Sequence, residues 1–370
     1  MSGNDTLQFL AAGADMEALP HAAPGCPRIQ GRIKERPEDF VVEEVQAYPF
    51  AGTGDHLLLF IEKRDIAGGD MLRLVGRALG VRDTDIGTAG TKDRRAVTRQ
   101  WISVPAQAAA AVEAGRLNGP EAGGPTGISL LEMTRHTNKL KAGHLKGNRF
   151  RILVRDADPA AIPELTAAAE IISRNGFPNI FGSQRFGRNS DNLSTGMALL
   201  GMGPEGGRRP RLGNFERRMA ISAIQSALFN IWVKARYEDG LTRTVLEGDV
   251  MAKTATGGMF ICTDPRTDQA RFDAGEIGIT GPMFGSRMMA AAAAAGLREE
   301  AVLTVAGMDA HSFDAAGKLA EGTRRDLVVI PEELSVQGTG EGILFSFFLP
   351  KGCYASVLMR EFVEDVRGIG

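Results

Sequence analysis

The chain is predicted to fold as an α+β protein whose main domain is interrupted by an inserted one. Three observations predict it. Short runs of β-branched and apolar residues dominate the first half, helical apolar periods follow, and a strand and a helix return at the C-terminus. Runs of strands followed by runs of helices indicate α+β, and 370 residues exceed the ~100–200 of a single domain. The expected boundaries are 1–28 for a poorly ordered tail, 29–175 for the first part of the main domain, 176–325 for an inserted α/β domain, and 326–370 for the completion of the main domain.

In chain order, "DFVVEEV" and "HLLLFIEKR" are strand-like runs separated by the turn "GTGD". "GGDMLRLVGRALG" places apolar residues at helical spacing and ends on Gly80, a natural C-cap. "AVTRQWISV" is again a strand. Residues 105–127, rich in Ala, Gly and Pro, suggest a helical insert running into a loop, and "RFRILVR" alternates as a half-buried strand does. Amphipathic periods predict helices over 160–175 and "RRMAISAIQSALFNIWVKARYEDG". A further helix is expected at "MMAAAAAAGLREEAVL", whose alanines suit close packing. "ILFSFFLP" is a strand, and "GCYASVLMREFVEDV" a helix starting near Tyr354–Ser356.

Composition narrows the function. Hydrophobic residues are 43% and charged residues 24%, ordinary for a folded chain. No apolar run approaches the ~20 residues that span a bilayer, and the N-terminus lacks a secretory pattern, so a soluble cytoplasmic protein without membrane association is expected. Cys26, Cys262 and Cys353 form no C-x-x-C pair, and the histidines show no H-E-x-x-H spacing, so no metal is expected. The phosphate-cradling G-x-x-x-x-G-K-[ST] and G-x-G-x-x-G motifs and the G-x-S-x-G nucleophile elbow are missing, which leaves cofactor-free chemistry or none. The net charge of −2 argues against general coating of nucleic acid but permits a local basic groove.

Two stretches carry chemistry. Residues 134–155 hold Arg135, Lys139, Lys141, Lys146, Arg149, Arg151 and Arg155, seven bases and no acid. Solvated basic faces are common, but "GNRF" sets Asn148, Arg149 and Phe150 inside this one. Cations for phosphate, an amide for a base edge and a ring for its face are what an unstacked nucleotide requires. Further bases cluster at 206–218, and "GSQRFGRNSDN" places Gln184, Arg185 and Arg188 around Phe186. The second stretch is "AGTKDRRAVTRQWISV", where Asp93 stands between Lys92 and Arg94. Such a turn could be a mere exposed ion pair, worth ~0–1 kcal/mol. Alternatively, the flanking cations keep the carboxylate charged, which suits a nucleophile better than a general acid.

These motifs resemble the TruD family of RNA pseudouridine synthases. "KERPEDFVVEE" is similar to the family's N-terminal signature, "GTAGTKDRRAVTRQWISV" to its catalytic block, "LKAGHLKGNRFRILVR" to its G-N-x-F block, and "FGSQRFG" to its next hallmark. "AISAIQSALFN", "GDV", "GPMFGS", "RRDL" and "FFLPKGCYASVLMREF" follow in family order. The resemblance implies a synthase core, a mixed and largely antiparallel sheet with helices, carrying an inserted TRUD domain.

By position, Asp93 matches the catalytic aspartate, Phe150 the ring that stacks on the target base, and Asn148 an amide lining the site. Lys34 and Glu38 fall in the signature bordering it, Gln184 and Arg185 match the hallmark Q-R, and Lys92, Arg94 and Arg149 complete the expected substrate contacts. The implied reaction turns uridine into pseudouridine, at tRNA position 13 in the bacterial branch, through a covalent aspartate adduct without metal or organic cofactor. tRNA is the implied partner; oligomeric state is open, a monomer being favoured. Family members often carry N-Y-F-G where this chain has Ile180 in "NIFG". The competing reading is a catalytically silent RNA-binding or tRNA-chaperone protein on the same fold. A small-molecule isomerase is disfavoured because it would not need so many clustered arginines.

Overall fold

Alternation builds the sheet around residue 93. In "FVVEEVQ" the side chains of Phe40, Val42 and Glu44 are buried while Val41, Glu43 and Val45 are half-buried, the period of two that a strand imposes. The computed structural model describes residues 3–119, 124–187, 190–202, 211–366 and 369. The chain divides into two units, Gly25–Asn175 with Ile330–Gly370, and Met1–Pro24 with Gly176–Val329.

The first of these holds the large sheet. Its strands are β1 (Arg32–Ile33), β2 (Phe40–Gln46), β3 (His56–Arg64), β4 (Gly87–Thr88), β5 (Val97–Pro105), β6 (Ile128–His136) and β7 (Leu145–Arg155), joined after the other unit by β14 (Glu332–Thr339) and β15 (Gly342–Pro350). The strand order is β14-β15-β7-β2-β5-β3-β6, with β1 beside β7 and β4 beside β5. Among the described residues β2 and β5 run parallel and the other neighbours antiparallel, so the sheet is mixed and largely antiparallel, as expected.

Helix α2 (Gly68–Leu79) covers one end of one face. Its Met71, Val75 and Leu79 pack on Leu57, Leu59, Ile61, Ile102 and Val104. Burying each such side chain stabilises by roughly 1.5–3 kcal/mol. Gly80 ends the helix in the left-handed conformation, φ 67°, as its position suggested. The insert at 105–127 forms one short helix, α3 (Ala109–Glu113), and residues 120–123 lie outside the described residues. Helix α4 (Ile162–Asn175) packs on β14. The C-terminal helix, α9 (Ala355–Met359), is shorter than "GCYASVLMREFVEDV" suggested. Past it, Phe362 accepts a bond from Ile29 N and Glu364 N donates to Ile29 O, which draws the chain into extended pairing.

In the other unit, the segment expected to be a loose tail forms α1 (Gly3–Ala14), which buries Leu10 and packs on α6 (Asn214–Glu238). Asn230 from α6 donates to the Gly13 carbonyl at 2.8 Å and anchors it. Around α6 lie α5 (Asp191–Leu200), the pair β8 (Phe177–Pro178) and β13 (Val328–Val329), and a four-stranded sheet. That sheet comprises β9 (Val250–Lys253), β10 (Met259–Ile261), β11 (Ile277–Met283) and β12 (Thr323–Asp326), with α7 (Pro265–Asp273) and α8 (Ala293–Val305). The alanine run enters α8 only at Ala293, because Ala292 N is held extended by the Gly248 carbonyl. Among the described residues no helix is long and apolar enough to cross a membrane.

Candidate active site

Asp93 lies in the irregular segment that leads into β5, and three lysines surround it. Lys34 Nζ stands 3.3 Å from Asp93 Oδ1. The lysine side chain is 6% exposed and the carboxylate 33%, so the cation is dry while the acid still meets solvent. Lys34 holds a left-handed backbone, φ 58°, which costs a residue with a Cβ roughly 1–2 kcal/mol. That conformation sets its ammonium 3.9 Å from the centroid of the Phe40 ring. Burial pushes the Lys34 ammonium down from its ordinary value, and the Asp93 carboxylate pulls it back.

Lys63, at the end of β3, is fully buried. Its Nζ donates to the main-chain carbonyls of Asp93 at 2.6 Å and Ile66 at 2.8 Å. Burial pushes this ammonium down to about 8, against the attraction of Asp93. Lys92, the residue before Asp93, donates to Glu44 Oε2 at 2.5 Å, and both side chains are buried. Burial drives the Glu44 carboxyl above the usual carboxylate range, while Lys92 opposes that rise.

The sheet supplies a floor in register. Lys63, Thr98, Val42, Phe150 and Phe347 are successive cross-strand partners on β3, β5, β2, β7 and β15. In the adjacent row Glu44 pairs with Asn148, and Asn148 with Leu349. Cross-strand partners share a face, so Phe150 and Asn148 stand on the same side as Lys63 and Glu44. Phe150, 8% exposed, stacks on Phe347 at 5.3 Å and meets the edge of Phe40 at 6.2 Å. Thr98 Oγ1 and Asn148 Oδ1 are buried and accept no hydrogen bond from any described residue.

The structure thus gathers Asp93, Lys34, Lys92, Asn148 and Phe150 within one unit, linked through Phe40 and Glu44. Arg94 is exposed beside Asp93 and forms no ion pair among the described residues. Arg149 is not gathered with them. One residue from Phe150 along β7, it points to the opposite face, where Glu333 binds it at 3.1 Å. Glu38 is half exposed and bound by Arg64. Gln184 and Arg185 belong to the other unit, where Gln184 is exposed and Arg185 bonds Ser222 and Ser226 of α6.

The seven bases of 134–155 are less free than their sequence suggests. Arg155 is held by Asp39 and Glu341, and Lys146 lies 3.7 Å from Glu332. Of the second basic cluster, 206–210 fall outside the described residues, as do Arg188 and Asn189. Among the described residues no three His, Cys, Asp or Glu side chains gather as metal ligands.

Lys63, Glu44, Phe40 and Phe347 were missed by motif reading. A signal existed for the first two. In "FVVEEV" the inward phase set by Phe40 and Val42 falls next on Glu44, and in "HLLLFIEK" the phase of Leu57, Leu59 and Ile61 falls next on Lys63. An ionisable residue in an apolar phase marks a polar site under the sheet.

Comparison with known proteins identifies the family of the chain. Residues 20–206 and 212–362 match the family model described as tRNA pseudouridine synthase D (TruD). A tRNA pseudouridine synthase D of Anaeromyxobacter sp. strain Fw109-5 is 42% identical over 351 residues, covering 94% of this chain and 97% of that one. A Thermus thermophilus protein of the same description is 38% identical over 351 residues, covering 94% and 93%. In architecture the chain is similar to a Methanosarcina mazei crystal structure provisionally described as tRNA pseudouridine synthase D. The TM-score is 0.76 at 23% identity, covering 97% of this chain and 98% of that one, a likeness of fold.

Proposed function

The chain belongs to the tRNA pseudouridine synthase D family, and from that premise we propose that it isomerises one uridine of tRNA, at position 13, to pseudouridine with Asp93 as nucleophile. The observation that carries the proposal is the Asp93 carboxylate itself, open to solvent on one side and held on the other by the dry ammonium of Lys34 at 3.3 Å. A cation in contact aims the carboxylate, and a low-dielectric surround strengthens that hold.

The reaction needs no outside redox partner or group donor. Asp93 attacks the nucleotide, the N1–C1′ bond breaks, the uracil turns, and a C5–C1′ bond forms. The proton lost at C5 is balanced by the one gained at N1, and release of the aspartate restores the enzyme. Asn148 suits the recognition of uracil. Its side chain is half-buried beside Phe150, and an amide carries both donors and an acceptor for the polar edge of uracil. Phe150, backed by Phe347 and Phe40, supplies the ring against which the turning base is held. Arg94 offers an exposed charge to the phosphate backbone. Metal and organic cofactors have no assigned part in these steps.

The test incubates unmodified transcribed tRNA with wild-type protein and with Asp93→Asn and maps pseudouridine along the RNA. Wild type should modify position 13 in buffer without added metal or cofactor, and Asp93→Asn should leave it unmodified. An active Asp93→Asn would remove the nucleophile assignment, and a wild type that binds tRNA without modifying it would leave only a binding protein.

A further inference from the structure

β3 carries a lysine where its alternation calls for an apolar residue. Leu57, Leu59 and Ile61 enter the core, and the next inward position is Lys63, as fully buried as they are. A buried ammonium is costly unless it is well hydrogen-bonded, so a charge retained there requires a task. No carboxylate pairs with it among the described residues. Its two bonds go to main-chain carbonyls, and the shorter, at 2.6 Å, goes to Asp93 itself.

Asp93 is therefore held at both ends. Lys34 faces its carboxylate, and Lys63 grips its carbonyl from below. The segment that carries Asp93, residues 89–96, belongs to no helix or strand, so little regular structure fixes its direction. We propose that Lys63 is a positioning residue for the isomerisation, clamping the Asp93 main chain so that the carboxylate keeps its line of attack on the nucleotide. This rests on the reading of Asp93 as nucleophile. The charged groups acting on Lys63 are Asp93 and Lys92 from the segment before β5 and Asp65 from the turn after β3. The clamp should weaken when the ammonium loses its proton, which burial brings to about 8.

The experiment measures kcat and KM for transcribed tRNA as a function of pH in wild type, Lys63→Met and Lys63→Arg, with folding checked by circular dichroism. A displaced nucleophile loses rate rather than affinity, so folded Lys63→Met should lose about 100-fold in kcat with KM within about threefold of wild type. Wild-type kcat should fall above pH about 8, and in Lys63→Arg that alkaline limb should move upward because a guanidinium does not titrate there. A folded variant of either kind that keeps both the wild-type kcat and the wild-type alkaline limb overturns the proposal. If neither variant folds, the wild-type profile decides, and a kcat that stays flat well above pH ~9 overturns it. Asp93→Asn separates the two readings: an inactive Asp93→Asn beside a fully active, folded Lys63→Met removes the clamp alone, whereas an active Asp93→Asn removes the nucleophile beneath it.

Discussion

Lys34 and Asp93 form an unequal ion pair, the ammonium dry at 6% exposure and the carboxylate 33% exposed, 3.3 Å apart. A surface pair would be screened and weak. Here the cation has left water, has the Phe40 ring beneath it, and sits on a strained left-handed backbone. Strain kept at one residue of an open site is the pattern of pre-organisation for chemistry.

Replacing Lys34 by Met should therefore affect rate more than folding. Met fills similar volume over Phe40 and removes a buried charge, so the melting temperature should hold or rise. Activity on tRNA should fall by about 10²–10³-fold, as when one pre-organised electrostatic group is removed. Measuring kcat and melting temperature on one preparation checks both halves. A variant with normal kcat would show that the pair is structural.

The Lys92–Glu44 pair should behave in the reverse way. Both side chains are buried, so Lys92→Met strands a carboxylate and should cost about 3–5 kcal/mol in urea unfolding. Adding Glu44→Leu should recover most of that loss, since a well-packed apolar pair can replace a buried ion pair. The sign of the pH effect is also fixed. Burial raises the folded-state value of Glu44, so its contribution to stability is full below the unfolded value and is lost as pH rises through the folded one. Mild acidification should not weaken the fold through this pair. Loss of stability that disappears in Lys92→Met/Glu44→Leu would contradict this.

Lys63 sets activity and stability against each other. Its folded-state value is lowered from 10.5 to about 8, so between those values the unfolded chain binds more protons. Stability attributable to Lys63 should therefore rise with pH across that window, by up to roughly 3 kcal/mol. Activity should fall over the same window as the clamp discharges. The check is the difference in unfolding free energy between pH 7 and pH 10 in wild type and in Lys63→Met; an identical pH response in both would show that Lys63 does not titrate there.

These residues also mark what the sequence could and could not reveal. The strand phases of β2 and β3 and the Gly80 cap follow from local rules, and the structure keeps them, whereas the cation in contact with Asp93 is the non-local Lys34 and the flanking Lys92 turns to Glu44. The family motifs pointed to Asn148 and Phe150, and the structure sets both on the sheet face of Lys63 and Glu44. Pairing partners are non-local, so the Lys63–Thr98–Val42–Phe150–Phe347 row requires the strand order, which no single stretch contains. For the same reason Arg149 resembled a substrate contact until β7 was given a face. α1 was overlooked because its helix is stabilised by α6, more than two hundred residues away.

Arg94 and Arg149 should separate on these grounds. Arg94 is exposed, without an ion pair among the described residues, and adjacent to Asp93, so Arg94→Ala should raise KM for tRNA several-fold and reduce the salt slope of binding by about 1. Arg149 lies on the other face with Glu333, and Arg149→Ala should change KM by less than about twofold. Titrating both variants with tRNA at several salt concentrations decides it, and the opposite ranking would place the RNA on the outer face of the sheet.

Asn148 offers the clearest separation of stability from function. A buried acceptor without a partner costs about 1–3 kcal/mol, and Asn148 Oδ1 has none among the described residues. Asn148→Leu removes that cost at similar volume, beside Leu349 and the aliphatic part of Glu44. The free protein should become equally or more stable to urea, while kcat/KM on tRNA drops by about 10–100-fold because the uracil edge loses its amide partner. Both effects come from one side chain, so they should appear together. A variant that is destabilised and still active would mean that Asn148 Oδ1 already serves the fold and that the base is recognised elsewhere.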